Sequence, residues 1–341
     1  MYRLMMASRT ASPALFAGDI LLPLRLVTGW TYFSAFWRRM VLEDKLDPNA
    51  AGYIGEKFNH FLPNALGIGP IIEFFVSNPE LLWWKLLAFT LVEAVVGFAL
   101  MAGFLTRAAG VATSLLALGI LLGAGWLGTT CLDEWQIGIL GITAGIAFAF
   151  AGGGRYSVDR LMERRFPTVW NRLSAFDSSP HLPKVALGAA LVTFGLALFT
   201  NQVFHGGVWG TLHNKSVRPK VEVYDARFAP EGLQFTASRV EGADVYGSFL
   251  IGVRVLDASG AEKARWTGEE LAQTPAADIS NDYIAKIKPG AHSLVLPLGA
   301  KATVLLRKPA LSELPAGAYS LELIDVSGAT WSAPVEIPSQ S

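Results

Sequence analysis

The sequence predicts a membrane α-helical bundle followed by an all-β, sandwich-like domain. Three apolar runs, at 86–104, 108–127 and 135–151, are 17 to 20 residues long. That length matches the hydrocarbon core of a bilayer, which is about 30 Å thick. Hydrophobic residues make up 52% of the 341 residues and charged residues only 16%, well below the roughly 25% charged residues of soluble domains. From Gly206 onward, short strand-like segments separated by turns replace the apolar runs.

The first four predicted spans make up a four-helix membrane domain. The first span lies at 19–37, contains Arg25, and ends in an aromatic cluster that is typical of a membrane interface. The three apolar runs supply the other spans, and Glu93 is the only charged residue of the first run. Because the connections between these runs are short, neighbouring helices are expected to run antiparallel in a four-helix bundle.

A polar segment at 38–80 separates the first two spans. It holds four prolines and two short amphipathic stretches, at 53–62 and 71–76. Irregular connections of this length are usually functional or covering elements. We therefore expect this segment to fold over the outer mouth of the bundle.

A fifth span is predicted at 185–204, after a basic segment. If the five spans alternate in direction, Arg3, Arg9, Arg107 and the basic segment share one side, which the positive-inside rule makes the cytoplasm. The chain is then a multi-pass protein of the inner (plasma) membrane, with a cytoplasmic N-terminus and a C-terminal domain in the periplasm or cell exterior. The predicted parts are 1–17 as the cytoplasmic N-terminus, 18–151 as the four-helix membrane domain, 152–184 as a basic cytoplasmic loop, 185–204 as the fifth span and 205–341 as the outer β domain.

Seven segments of the C-terminal part have the alternating or apolar pattern of strands. They are 220–224, 233–238, 248–256, 293–298, 303–307, 319–325 and 334–337. Several short strands at this spacing indicate an antiparallel sandwich. The insert at 269–283 is expected to form either a helix or an irregular edge loop.

The cysteine and histidine counts exclude several kinds of site. A single cysteine, Cys131, allows no internal disulfide and no all-cysteine iron–sulfur or zinc site within one chain. The sequence has no C-x-x-C-H motif for covalent haem attachment, and its five histidines do not have the H-E-x-x-H spacing of a zinc site. No metal site is therefore predicted.

Three short motifs resemble those of the DoxX/DoxD membrane proteins. Residues 92–97 read VEAVVG and residues 102–107 read AGFLTR, which is similar to the glutamate–glycine motif of that superfamily. Residues 24–29 read LRLVTG and are similar to its first helix. The order of four helices, a fifth span and a β-rich part resembles a DoxD–DoxA fusion. The two parts together resemble the thiosulfate:quinone oxidoreductases of sulfur-oxidising microbes.

The resemblance implies a reaction and its partners. Two thiosulfate ions would couple to tetrathionate at the outer face, with two electrons passed to a membrane quinone. Quinone is the implied electron acceptor, and no flavin, haem or iron–sulfur site is evident. The implied partners are thiosulfate, membrane quinone and the bilayer, with a homo-oligomer or an additional electron-transfer subunit left open and no nucleic acid expected. The alternative function is a non-catalytic membrane scaffold or accessory subunit whose outer β domain docks a partner.

The implied chemistry has four requirements. These are cations that bind two dianions, a group that reacts with sulfur, a route for protons, and aromatic rings beside the quinone. The predicted site residues are Cys131, Glu93 and Arg25 as catalytic residues; Arg38, Arg39, Lys85 and His60 as thiosulfate-binding residues; and Trp83, Trp84 and Trp126 as quinone-binding residues.

Several of these assignments have structural alternatives. Glu93 and Arg25 are expected to form an ion pair, because an ionisable residue in a bilayer costs about 2.5–3.5 kcal/mol or more and is usually paired. That pair either handles protons or only fixes helix packing. Cys131 is either a nucleophile or a small apolar residue in a turn. The tryptophans either flank a quinone or form an interfacial belt, and Arg38 and Arg39 either bind the anion or mark a helix end.

Overall fold

A computed structural model describes residues 13–42, 44–50, 52–125, 134–168, 170, 181–212, 218–242 and 248–337. Within these ranges the α-helices are α1 Pro13–Ile20, α2 Leu22–Val41, α3 Glu56–Phe61, α4 Gly69–Val76, α5 Pro79–Ala102, α6 Thr106–Ala124, α7 Glu134–Ala151, α8 Val158–Arg165, α9 Leu182–Phe204 and α10 Gly268–Ala272. The strands are β1 Lys220–Ala229, β2 Gly232–Glu241, β3 Ser248–Asp257, β4 Glu262–Thr267, β5 Ile279–Asn281, β6 Lys288–Pro289, β7 Leu294–Leu296, β8 Lys301–Leu306, β9 Gly317–Asp325 and β10 Thr330–Ile337. The predicted fold class is confirmed, because a region with several apolar helices precedes an all-β domain of two antiparallel sheets.

The chain divides into two compact units, and the first holds most of the helices. It is drawn from residues 1–53, 84–121 and 135–203. Among the described residues, three helices are long and apolar enough to cross a membrane, namely α5, α6 and the stretch Leu182–Val203 of α9. The apolar stretch of α7, Trp135–Ala151, is shorter. The predicted first span, α2, is not among the three because it carries three arginines.

Glycines make two helix crossings close. A Cβ on Gly97 of α5 would lie 2.6 Å from the carbonyl oxygen of Gly29 of α2. A Cβ on Gly145 of α7 would lie 2.5 Å from the carbonyl oxygen of Gly110 of α6. Small residues at such crossings are typical of membrane helices, which associate by close packing because lipid provides no hydrophobic driving force between them. The two crossings join α2 to α5 and α6 to α7.

At one end of this unit, charged side chains form hydrogen bonds with the backbone groups at the ends of two helices. The carboxylate of Asp159, in α8, accepts hydrogen bonds from the backbone N–H groups of Leu105 and Thr106, at 2.7 and 2.8 Å. Arg107 donates to two carbonyl oxygens in the last turn of α7, at 2.6 and 2.7 Å. An acid at a helix start and a base at a helix end both interact favourably with the helix dipole. These bonds hold α6, α7 and α8 together.

The second unit contains the β domain together with a segment from between α2 and α5. It is drawn from residues 54–83, 122–134 and 204–341. One sheet has the order β1-β2-β8-β5, and the other has the order β10-β9-β3-β7-β6 with β4 paired to β3. Along β8, residues Ala302, Val304 and Leu306 are buried while their neighbours are partly exposed. They join the apolar core of the domain, to which β2, β3 and β9 also contribute buried residues.

All seven predicted strands are present, within a few residues of their predicted bounds. The strands β4, β5 and β6 were not predicted, and the last two have only three and two residues. The insert at 269–283 contains α10, whose capping box joins Thr267 to Glu270, followed by a 3-10 turn and β5. The two amphipathic stretches of the 38–80 segment form α3 and α4. That this segment covers the bundle stays a prediction.

Candidate functional site

The centre of the candidate site is a buried ion pair between Glu93 of α5 and Arg39 of α2. The Glu93 side chain is 5% exposed and the Arg39 side chain 18% exposed. The Arg39 guanidinium donates to the Glu93 carboxylate and also approaches the Thr90 hydroxyl, at 3.4 Å. Thr90 lies one helical turn before Glu93 and is fully buried. Three polar groups from two helices therefore meet where the surrounding sequence is apolar.

The helix geometry explains why these residues meet. The glycine crossing places α2 and α5 in close contact, and the two helices run in opposite directions. Arg39 is in the last turn of α2. Because side chains on a helix lean toward its N-terminus, the long Arg39 side chain extends back along α2 toward the middle of α5. Glu93 lies there, fifteenth of the 24 residues of α5.

Two aromatic side chains accompany the pair. The guanidinium carbon of Arg39 lies 5.8 Å from the centre of the Phe89 ring, a distance typical of a cation–π contact. Tyr32 of α2 is 8% exposed, and its hydroxyl lies close enough to the Glu93 carboxylate for the two to interact electrostatically. A Cβ on Gly141 of α7 would lie 3.6 Å from the Tyr32 hydroxyl oxygen. The Tyr32 hydroxyl is therefore between α5 and α7.

The predicted ion pair between Glu93 and Arg25 is wrong. Arg25 is in the first turn of α2, fourteen residues before Arg39, which corresponds to about 21 Å along a helix. Its guanidinium is fully buried and donates to the carbonyl oxygens of Gly153 and Tyr156, both at 2.8 Å. It also interacts with the carboxylate that caps α6, in α8. The charge of Arg25 is therefore balanced at the opposite end of α2.

The other predicted cations, Arg38, Lys85 and His60, lie on three different helices. Arg38 is exposed, whereas its neighbour Arg39 faces inward. Lys85 is half-buried on α5, eight residues or about 12 Å before Glu93. His60 is half-buried in α3 and belongs to the second unit. The role of these three residues in binding an anion stays a prediction.

Two of the three predicted quinone-binding tryptophans, Trp83 and Trp84, lie next to each other on α5. Trp84 is 58% exposed on α5, and Trp83 is half-buried. Cys131 and Trp126 lie outside the described residues. Within the part of the chain that is described, no three histidine, cysteine, aspartate or glutamate side chains come together as a metal site.

Thr90 and Phe89 were not predicted as site residues, and Tyr32 was predicted only as a member of the interfacial aromatic cluster that ends the first span. One signal was available, because Thr90 and Phe89 precede Glu93 by three and four residues and so share its helix face. Tyr32 offered no comparable signal, since its place beside Glu93 depends on how α2 packs against α5.

Comparison with protein families gives the site a context. Residues 20–180 match the family model described as TQO small subunit DoxD, and residues 204–334 match the model described as TQO small subunit DoxA. The chain belongs to the DoxD and DoxA families. The predicted fusion is thereby confirmed, because one polypeptide carries both regions. Glu93 and Arg39 lie in the DoxD region, and both family descriptions relate the chain to thiosulfate:quinone oxidoreductase.

One solved structure aligns with this chain at low similarity. The alkylpurine DNA glycosylase AlkC of Pseudomonas fluorescens, bound to DNA containing an abasic site analog, is 12% identical. The alignment covers 96% of this chain and 100% of that one, with a TM-score of 0.18. A likeness at that score carries no argument about fold or function.

Proposed function

We propose that the protein is a membrane thiosulfate:quinone oxidoreductase. Two thiosulfate dianions form one sulfur–sulfur bond to give tetrathionate and release two electrons, and a membrane quinone takes up these electrons with two protons to become a quinol. The observation that carries the proposal is the buried Glu93–Arg39 pair in a helix of the DoxD region that is apolar enough to cross a membrane. Buried ionisable residues in such helices are usually functional.

In this proposal the ion pair links anion binding to proton handling. Arginine binds oxyanions through paired hydrogen bonds, so Arg39 can exchange the Glu93 carboxylate for a sulfonate oxygen of thiosulfate. A carboxylate that loses its counter-ion in an apolar bundle is neutralised by a proton. Glu93 would thus hold a proton for the quinone, and the Tyr32 hydroxyl would be a second proton donor beside it.

The remaining predicted residues have proposed roles in the same reaction. Arg38, Lys85 and His60 would attract thiosulfate, and Trp83, Trp84 and Trp126 would flank the quinone ring. Cys131 would form a sulfur–sulfur bond to the outer sulfur of one thiosulfate as the quinone takes up the two electrons released. The second thiosulfate would attack that outer sulfur, so that tetrathionate leaves and the Cys131 thiolate is restored. Arg25 is proposed as a positioning residue that holds α2 against the loop after α7.

The proposed orientation places the β domain outside the cell. By the positive-inside rule, the arginine-rich end of the helical unit faces the cytoplasm, and the chain lies in the plasma membrane. The glutamate–arginine pair would then be reached by thiosulfate from the periplasmic or outer side.

The test is quinone reduction by the purified protein. The full chain in detergent is given thiosulfate and decylubiquinone, and reduction is followed by absorbance. We expect thiosulfate-dependent reduction, and a rate at least about tenfold lower in Glu93→Gln, because a general acid typically contributes about 10²–10⁴-fold. The matched control is Glu80→Gln, an exposed acid in the first turn of the same helix, which should keep the full rate.

One outcome would overturn the proposed reaction, and another would overturn the role of the ion pair in it. If well-folded protein reduces no quinone with thiosulfate, the alternative of a non-catalytic scaffold or accessory subunit is favoured. If the protein is active and Glu93→Gln has the full rate, the reaction stands but the ion pair has no part in it. A loss of activity in Cys131→Ser would support the covalent adduct.

A further inference from the structure

The β domain has a notch that receives one side chain from the segment between α2 and α5. Asn59 of α3 is fully buried in this notch. Its amide nitrogen donates to the carbonyl oxygen of Gly299 at 3.2 Å, and its amide oxygen accepts from the backbone N–H of Ala285 at 2.9 Å. A buried asparagine that uses both ends of its amide on backbone groups is held in one orientation.

The shape of the notch depends on Gly299. This residue has φ +75°, a conformation that favours glycine, and a Cβ added to it would lie only 1.7 Å from the backbone oxygen of Asn59. The backbone of α3 therefore occupies the space that any other residue at 299 would fill. The close approach therefore requires glycine at position 299.

The notch is built by hydrogen bonds within the β domain itself. The turn at Gly299 is fixed because Gly299 donates to the carbonyl oxygen of Arg239 at 2.9 Å and Arg239 donates to that of Ala300 at 3.0 Å. The loop at Ala285 is closed by Asn281, whose side chain bonds to the backbone of residue 287 at both ends of its amide, at 3.1 and 2.7 Å. These bonds do not involve α3, so we expect the notch to keep its shape when α3 is absent.

A second contact lies on the same loop of the β domain. The Tyr283 hydroxyl donates to the carboxylate of Glu73 in α4 at 2.6 Å. Burial and this bond raise the pKa of Tyr283, so the hydroxyl remains a donor at neutral pH. The α3–α4 segment is thus held at two points fourteen residues apart.

We propose that this notch is a recognition site for the outer loop of a DoxD-type membrane part, and that it binds the loop without help from the covalent connection through α9. The partner it fits is a segment that presents a helical asparagine and, fourteen residues later, an acid. The two family descriptions name DoxD and DoxA each as a small subunit. The same notch would therefore join the two parts where they are made as separate chains.

The test uses the full chain in membranes, with a protease site inserted in the connection between α9 and β1. After cleavage and a high-salt wash, the fraction of β domain that sediments with the membranes is measured over time. We expect the wild-type domain to stay bound. Asn59→Leu should release it on the order of 100-fold faster, because two buried backbone groups lose their partners.

Asn78→Leu is the matched control, because the amide of this exposed residue bonds within its own segment, to Phe74 at 2.6 Å. It should release the domain at the wild-type rate. Tyr283→Phe keeps the ring, and should release the domain about three- to tenfold faster; it decides the question if Asn59→Leu does not fold. Immediate loss of the wild-type domain on cleavage, or retention that neither Asn59→Leu nor Tyr283→Phe weakens, would overturn the proposal.

Discussion

The partner of Glu93 can be tested by comparing two arginines of α2 in a double-mutant cycle. Arg39→Met removes one member of a buried pair, which typically costs about 3–5 kcal/mol of stability. Because the Arg39 side chain is 18% exposed and that of Glu93 only 5%, we expect the lower end of that range. Glu93→Gln should cost about 1.5–3 kcal/mol, since a hydrogen bond to a charged group is lost.

The two changes should not be additive. Residues that share one ion pair couple by about 0.5–3 kcal/mol, whereas distant residues add to within about 0.5 kcal/mol. The double variant Arg39→Met/Glu93→Gln should therefore be more stable than the sum of the single changes predicts, by at least about 1 kcal/mol. Arg25→Met should be strongly destabilising but additive with Glu93→Gln, because Arg25 bonds to Gly153 and Tyr156 instead.

The measurement is the free energy of unfolding of the detergent-solubilised full chain, followed by near-UV circular dichroism. Each single and double variant is compared under one set of conditions. The reasoning fails if Glu93→Gln couples to Arg25→Met as strongly as to Arg39→Met. It also fails if both couplings are zero, because the ion pair would then make no net contribution.

Three further predictions concern other parts of the chain. Tyr32→Phe should lower thiosulfate-dependent quinone reduction several-fold without changing the melting temperature by more than a few degrees; an unchanged rate would exclude the hydroxyl from proton handling. Gly97→Val should destabilise the helical unit by about 1–3 kcal/mol, because the Cβ of the new valine would contact the carbonyl oxygen of Gly29. Thermal unfolding measures the change, and an unchanged stability would contradict the close crossing of α2 and α5. In the β domain, the Arg307 guanidinium lowers the pKa of Asp278. This pair therefore stabilises the fold above the usual aspartate pKa of about 4, and its contribution is lost as the pH falls. Asp278→Asn should make the free energy of unfolding less sensitive to acid, and an unaltered acid profile would contradict this prediction.

The sequence predicts the long apolar helices and most strands because lipid and sheet geometry impose simple patterns, whereas the short helix α8 lies in a segment predicted as a loop. An apolar run of bilayer length has few alternatives to a helix, and β8 alternates buried and partly exposed residues as a strand should. The short strands β5 and β6 could not be predicted, since two or three residues show no period. Their pairing depends on neighbours that are distant in sequence.

The site was only half predictable for a related reason. The cost of burying Glu93 in a membrane helix identified it from sequence alone. Its partner was ambiguous, because Arg25 and Arg39 are fourteen residues apart, about four turns, and so lie on nearly the same face of α2. Only their depth along the helix distinguishes them, and the Gly29–Gly97 crossing sets that depth. Nothing in the sequence marked Asn59, whose burial arises entirely from tertiary contacts.

Arg25 and Arg107, at the end of the helical unit that contains Asp159, cap a helix end and also carry positive charge. Experiments on membrane insertion would not separate the effects of these two properties. Arg25 and Arg107 both donate to backbone carbonyl oxygens at or just after the end of α7. In the proposed orientation, positive charges at this end, Arg107 among them, also bias which way the helices thread through the translocation machinery. Neutralising them to invert the chain would also leave carbonyl groups without donors. Low accumulation of such a variant in the membrane could then result from lost helix capping or from reversed orientation. Only charge-preserving changes such as Arg107→Lys separate the two causes.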